Sequence, residues 1–185
     1  MKKIFILSVS IFALLSFASC EDDSKDPLPQ QVKGQFIRLD IDRYHRQMNF
    51  NEIETTYFGG LLTNPDGNVV KYDIHVRRSD PSNNVTSDYV PMMTITSFPY
   101  DLKITPAMVA QALGLQISDL KDGDFYRFYG YSYDASGRVA TYRNLSSLNQ
   151  FTPEMEQGYR VNTNLTINPQ PTGDDDEPYD NRNPN

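Results

Sequence analysis

The chain has 185 residues, enough for one domain of ordinary size with extensions, and carries a net charge of −7. An acidic chain of this kind argues against binding to nucleic acid, whose phosphates demand a basic surface. Its single cysteine, Cys20, excludes an internal disulfide bond.

Residues 1–19 predict a secretory signal peptide. Lys2 and Lys3 give a positive start, an apolar run follows to Phe17, and small residues precede Cys20. The run is short for a membrane-spanning helix, which needs about 20 apolar residues. A cysteine in this position resembles the lipobox of bacterial lipoproteins. The alternative is an ordinary secreted protein with a free cysteine.

The lipobox resemblance implies that diacylglycerol on Cys20 anchors the mature chain in a membrane, since two or more acyl chains bind firmly. Glu21, Asp22 and Asp23 follow, and they resemble the surface-export signal of lipoproteins in the Bacteroidetes. This implies a position on the outer face of the outer membrane. Cleavage would take the 17 basic residues to 15 against 24 acidic ones, and the net charge from −7 to −9.

Composition divides the mature chain into three parts. Residues 20–33 contain Pro27 and Pro29 and predict a flexible tether behind the lipid. Residues 34–167 predict one globular domain. Residues 168–185 are rich in Pro, Asn and Asp and predict a disordered acidic tail. Asp174–Glu177 could attract Ca²⁺, but no turn glycine splits the acidic run, which favours a solvated tail.

In chain order, the sequence pattern of the domain predicts short strands separated by turns, together with one helix. The predicted strands are 35–41, 53–62, 69–78, 90–98, 125–133 and 138–143. A turn is expected at 64–67, a polar loop at 80–87, and a hairpin turn at 134–137. Thr105 caps the predicted helix, Gly114 ends it, and Met108, Val109, Ala112 and Leu113 line its apolar face. The pattern predicts a mainly β, antiparallel sandwich.

The segment Leu120–Tyr126 resembles the Leu-x-Pro-Gly-Thr-x-Tyr segment that opens strand F of fibronectin type III domains. The resemblance implies an immunoglobulin/fibronectin III-like β-sandwich with the short helix inserted before strand F. It also implies that Leu120 and Tyr126 form a structural corner, in which the tyrosine hydroxyl bonds back to the chain before the strand.

Ala110–Leu115 and Gly137-Arg138 are similar to segments of SusE-like lipoproteins of polysaccharide utilisation in the Bacteroidetes. This resemblance implies an accessory protein, glycan-binding or scaffolding, beside a SusC/SusD-type glycan importer. It carries over no catalytic residue.

The residues offer little for catalysis. No Gly-x-Ser-x-Gly motif is present, and the one cysteine is the expected lipid site. His45 and His75 are the only histidines and lack the spacing of metal ligands. His75 is expected to be solvated or ion-paired rather than metal-bound. We therefore expect no enzyme activity, no metal and no cofactor.

One face of the predicted strand 125–133 is the candidate binding face. If Tyr126, Phe128, Gly130 and Ser132 point inward, the residues between them point outward. A neighbouring strand then adds to the same outer face. The candidate residues are Arg127, Tyr129, Tyr131, Tyr133, His75 and Arg77.

Four interpretations of this face stay open. The tyrosines can stack on sugars, contact a protein partner, or pair with one another across strands. They can also be buried beneath the C-terminal tail or the segment 144–159. A register slip of one residue would exchange the two faces. The sequence therefore predicts a non-catalytic surface lipoprotein that binds polysaccharide or serves as a scaffold. The alternative is a structural or adhesive module that contacts proteins.

Overall fold

The computed structural model describes residues 34–145 and 156–170. The predicted signal peptide, Cys20, Glu21, Asp22 and Asp23, the tether, and the acidic run at 174–177 lie outside these ranges. The elements are β1 (Arg38–Ile41), β2 (Met48–Asn49), β3 (Phe58–Thr63), β4 (Val69–Asp80), β5 (Val85–Thr86), β6 (Val90–Ile95), β7 (Tyr100–Ile104), α1 (Pro106–Leu113), β8 (Phe125–Asp134), β9 (Val139–Thr141) and β10 (Arg160–Thr166).

These strands form two sheets. The smaller sheet has the order β1-β3-β7, and both of its pairings are antiparallel. The larger sheet has the order β2-β10-β8-β4-β5, with β6 also paired to β4 and β9 to β8. Its pairings are antiparallel except for the short parallel contact of β10 with β2. The mainly β fold and its antiparallel sheets agree with the sequence prediction.

Both sheets contribute to one hydrophobic core. Leu39, Phe58 and Leu102 from the smaller sheet belong to the same buried cluster as residues of the larger sheet. Phe58 and Phe128 stack across the two sheets, with ring centroids 5.4 Å apart. Fully burying a side chain of this size stabilises the fold by roughly 1.5–3 kcal/mol. The core therefore holds the sheets face to face as a sandwich.

Strand β8 alternates strictly between buried and partly exposed residues along its whole length. Tyr126, Phe128, Gly130 and Ser132 are buried. Gly130 is needed because the ring of Tyr72 occupies the space where a side chain would begin: an added Cβ would lie 2.2 Å from the Tyr72 hydroxyl. That hydroxyl donates to the carbonyl of Gly158, which ties β4 to the segment before β10.

The corner before β8 is built on a buried carboxylate. The Tyr126 hydroxyl donates to Oδ2 of Asp124, at 3.1 Å, so its partner is a side chain just before the strand. Oδ2 of Asp124 also accepts from the backbone N–H of Lys121 and lies 2.8 Å from Nε of Arg78. Burial, and then the Asp124 charge, raise the pKa of Tyr126, which therefore stays a neutral donor. Leu120 is buried beside this corner.

The structure corrects several predicted boundaries. The predicted strand 53–62 begins only at Phe58, because the chain turns between 53 and 55. The predicted polar loop 80–87 contains the short strand β5, which folds back on β4. The predicted strand 138–143 is only β9, because Tyr142–Asn144 forms a 3₁₀ turn.

Two of the longer strands were not predicted, and the buried face of the helix differs from the predicted one. The strand β7 follows directly after Pro99, and β10 lies in a polar stretch of Asn and Thr. In α1 the fully buried residues are Pro106, Val109 and Ala110, so the buried face lies to one side of the predicted one. Thr105 and Gly114 cap the helix as expected, with Gly114 at φ 70°.

Replacing Gly130 by alanine tests the packing of Tyr72 against β8. We expect Gly130→Ala to lower the free energy of unfolding by about 1–3 kcal/mol, because a buried, hydrogen-bonded ring must move. Gly34→Ala is the control, since nothing lies within 4 Å of its added Cβ. Urea unfolding of both variants gives the comparison. Equal stability of Gly130→Ala and Gly34→Ala would contradict the packing described.

Replacing Asp124 by asparagine tests the corner. Asp124→Asn leaves the mostly buried Arg78 without its closest counter-charge, although Asp80 Oδ2 remains 3.8 Å away. We expect a loss of about 3 kcal/mol in the free energy of unfolding. Asp101→Asn breaks the exposed pair with Lys103 and should cost under about 1 kcal/mol. Denaturant unfolding measures both losses. Similar losses in the two variants would show that the buried pair at the corner stabilises the fold no more than an exposed ion pair does.

Candidate functional site

Strands β4 and β8 bring the candidate residues into register on one surface. Their pairing places His75 opposite Tyr129 and Arg77 opposite Arg127. Directly opposed residues of an antiparallel pair point to the same face of the sheet. The candidate residues therefore share the outer surface of the larger sheet, on the side away from the core. Tyr129, Tyr131 and Tyr133 are all partly exposed there.

The aromatic rings on this surface touch one another in a chain. Tyr89 lies 5.6 Å from Tyr129, Tyr129 lies 5.3 Å from Tyr131, and Tyr131 lies 4.8 Å from the ring of His75, all between centroids. The planes are inclined by 51–61° rather than parallel. Contacts of this kind add roughly 0.5–1.5 kcal/mol each beyond burial of area. These contacts therefore stabilise the sheet: that of Tyr129 with Tyr131 runs along β8, and that of Tyr131 with His75 crosses from β8 to β4.

A groove of about 660 Å³ runs over part of the same surface. Its floor is β8, and its sides come from β4, the residues before β6, the β9 strand with the turn after it, and the start of β10. Four tyrosines line it: Tyr89, Tyr129, Tyr131 and Tyr142. Thr141, which pairs with Tyr131, completes the polar lining on that side.

Four arginines also line this groove: Arg77, Arg127, Arg143 and Arg160. No Asp or Glu is among the lining residues that the structure describes. We call this concavity the tyrosine–arginine groove. Its charge is positive in a chain whose net charge is negative, which makes it distinct from the acidic protein around it.

Aromatic rings hold two of the groove arginines in place. The guanidinium carbon of Arg77 lies 5.1 Å from the centre of the Tyr89 ring, and that of Arg160 lies 5.1 Å from the centre of the Tyr142 ring. Nε of Arg127 instead donates to Oδ1 of Asn162 on β10, at 2.9 Å. Cation–π contacts and one hydrogen bond thus position the cations.

The end of the face near Tyr133 lies outside the groove. Nζ of Lys71 sits 3.9 Å from the centre of the Tyr133 ring and 2.8 Å from Asp73 Oδ2. Burial raises the pKa of Asp73, but hydrogen bonds from Lys71 and Thr94 outweigh it and keep that pKa below its usual value. Asp73 therefore stays ionised and balances Lys71. This end presents aromatic surface without net charge.

The candidate residues do not all reach the groove. Tyr129, Tyr131, Arg127 and Arg77 line it, whereas Tyr133 does not. His75 touches Tyr131 but lines a second recess of about 500 Å³ with residues of β6.

Sequence reasoning missed four of the groove residues: Tyr89, Thr141, Arg143 and Arg160. Arg160 sits opposite Tyr129 in the pairing of β10 with β8, and no strand was predicted there. The available signal was the alternation after Tyr159, which places a buried ring next to an outward arginine.

In the described ranges, no group of three or more His, Cys, Asp and Glu residues is arranged to hold a metal ion. His45 instead pairs with Asp42 at 2.9 Å and stacks on Tyr57. Among the helices in the same ranges, none has the length and apolar character needed to cross a membrane.

No protein-family model matches the chain, and no curated protein resembles it significantly.

Proposed function

We propose that this protein is a non-catalytic, lipid-anchored surface protein that binds glycan through the tyrosine–arginine groove. The observation that carries the proposal is the groove itself: four partly exposed tyrosines beside four guanidinium groups in one open concavity. Aromatic faces pack on the apolar faces of sugar rings, and guanidinium groups donate to their oxygens. The signal peptide and Cys20 supply the location, on the outer membrane facing the exterior.

We propose further that the sandwich is of the fibronectin type III kind. Strands β4, β8 and β9 correspond to strands C, F and G of one sheet, and β1, β3 and β7 to strands A, B and E of the other. The buried Tyr126 at the start of β8 takes the position of the corner tyrosine. A departure is that β8 is flanked on one edge by two separate strands, β9 and β10.

In this proposal the protein acts as an accessory of a SusC/SusD-type glycan uptake complex. A lipid anchor and the tether of residues 20–33 would keep the groove close to an importer. Confinement raises the effective concentration of captured glycan without demanding tight affinity. A groove open to solvent suits a long chain, which can lie across it and continue on either side.

Affinity electrophoresis through gels that contain a panel of polysaccharides tests the proposal. We expect at least one polysaccharide to retard the protein, and the double variant Tyr129→Ala/Tyr131→Ala to lose most of that retardation, since each stacked ring contributes roughly 1 kcal/mol. Tyr44→Ala is the matched control, because Tyr44 is 63% exposed and does not line the groove. Circular dichroism shows whether each variant remains folded.

A second pair of variants separates stacking from folding. Tyr129→Phe/Tyr131→Phe keeps both rings and should keep most of the retardation. Retardation that survives in the folded alanine variant would show that glycan binds outside the groove. No retardation by any polysaccharide, together with copurification of the native protein with an outer-membrane complex, would favour the structural or adhesive module instead.

A further inference from the structure

The arginines of the tyrosine–arginine groove differ from most others in the domain. Arg38 pairs with Glu156, Arg78 with Asp124, and Arg138 with Asp134. Within the part of the chain that the structure describes, none of the four groove arginines has a carboxylate at ion-pair distance. Four like charges gathered in one groove without counter-ions repel one another, and an anionic ligand relieves that repulsion.

We propose that the groove is built for an acidic polysaccharide, one whose sugars carry carboxylate or sulfate groups. This inference rests on the proposed function and names the substrate class of the same site. A planar guanidinium matches the paired oxygens of a carboxylate or a sulfate, and it donates two parallel hydrogen bonds to them. A neutral glycan needs no such concentration of cations.

An unsatisfied N–H of Arg77 supports a ligand that offers an acceptor in the groove. Its Nε is buried and finds no hydrogen-bond partner among the described residues. Buried donors are normally satisfied, so an unpaired one calls for an explanation such as a bound group. The Tyr89 ring holds the guanidinium from one side but cannot replace an acceptor for that N–H. A ligand oxygen reaching the floor of the groove would supply it.

The positions of the remaining arginines fit a chain rather than a single anion. Arg127 lies on β8 opposite Arg77, Arg160 starts β10, and Arg143 follows β9. Tyr129 and Tyr131 lie on β8 at the floor, with β4 on one side and β9 and β10 on the other. Cations around an aromatic floor can engage acidic groups on successive sugars while the sugar rings rest on the tyrosines.

The overall charge of the protein favours a glycan over a nucleic acid. With a net charge of −7, the chain repels a dense polyanion at long range, whereas the groove attracts anions locally. Acidic polysaccharides space their charges by whole sugars and retain apolar ring faces. Single-stranded nucleic acid can also stack on tyrosines beside arginines, so an oligonucleotide belongs in the test as a competing ligand.

The experiment measures binding of the purified full-length chain, in detergent, to matched pairs of polysaccharides. One pair is polygalacturonate and its methyl ester, and the other is dextran sulfate and dextran. In each pair the backbone is shared and only the charge differs. We expect the charged member to bind at least about tenfold more tightly, because charge-assisted hydrogen bonds are roughly twice as strong as neutral ones. Whichever charged member binds better distinguishes carboxylate from sulfate recognition.

Two further measurements test how much the charge of the groove arginines contributes to polysaccharide binding. Arg77→Gln/Arg160→Gln should weaken binding of the charged member by about tenfold or more and leave the neutral member unchanged. Arg46→Gln, an exposed arginine outside the groove, is the control and should have no effect. Raising sodium chloride from roughly 0.05 to 0.5 M should weaken the charged member selectively.

The outcomes separate this inference from the proposed function. Equal binding of the charged and neutral members, lost in Tyr129→Ala/Tyr131→Ala, would overturn the acidic preference while supporting glycan binding. Binding of an oligothymidylate as tight as that of the acidic polysaccharides would overturn it in favour of nucleic acid. No binding of any member of the panel would overturn the inference and the proposed function together.

Discussion

The register of strand β8 is the constraint on which the rest of this structure depends. Its ten residues alternate between the core that joins the two sheets and the surface that carries the groove. The residues that enter the core therefore determine which residues reach the groove. Asp124 and Tyr126 hold the start of the strand, and Gly130 admits the ring of Tyr72 in its middle. A shift by one residue would bury Arg127 and the outward tyrosines and expose the core aromatics. The register of β8 therefore determines both the packing of the core and the residues that line the groove.

The distribution of charge separates the ion-paired arginines from those of the groove. Arginines such as Arg78 and Arg138 are matched by carboxylates, and the hydrogen bonds from Ser136, with those from Arg138, hold the pKa of Asp134 down at about 2. The Arg78–Asp124 pair stabilises the corner before β8, and the Arg138–Asp134 pair stabilises the turn after it. Three of the groove arginines, Arg77, Arg160 and Arg127, contact rings or an amide, which orients a cation without neutralising it. Among the described residues no carboxylate pairs with the groove arginines, and this concentrates positive potential at one place on an acidic chain.

Local patterns explain which parts could be predicted from sequence. The alternation in β4 and β8 and the Pro106 and Gly114 signals of α1 each arise within a few residues, and the prediction agreed with the structure there. Val70 belongs to an apolar alternation yet is exposed, because a bulge in β4 shifts the pairing after Val69. Strand β10 is polar and owes its position to pairing with β8, a contact distant in sequence. For that reason Arg160, the residue that β10 contributes to the groove, was not predicted.

Ligand contacts mapped by NMR, residue by residue, test most directly whether the outward side of β8 binds glycan. Amide resonances of the isotopically labelled protein would be followed during titration with an oligogalacturonate. We expect the largest shifts to cluster at Tyr129, Tyr131, Thr141 and Arg160, on the outer face of the larger sheet. Shifts concentrated on β1, β3 and β7, or spread evenly over the domain, would contradict the claim that the outward side of β8 is the binding surface.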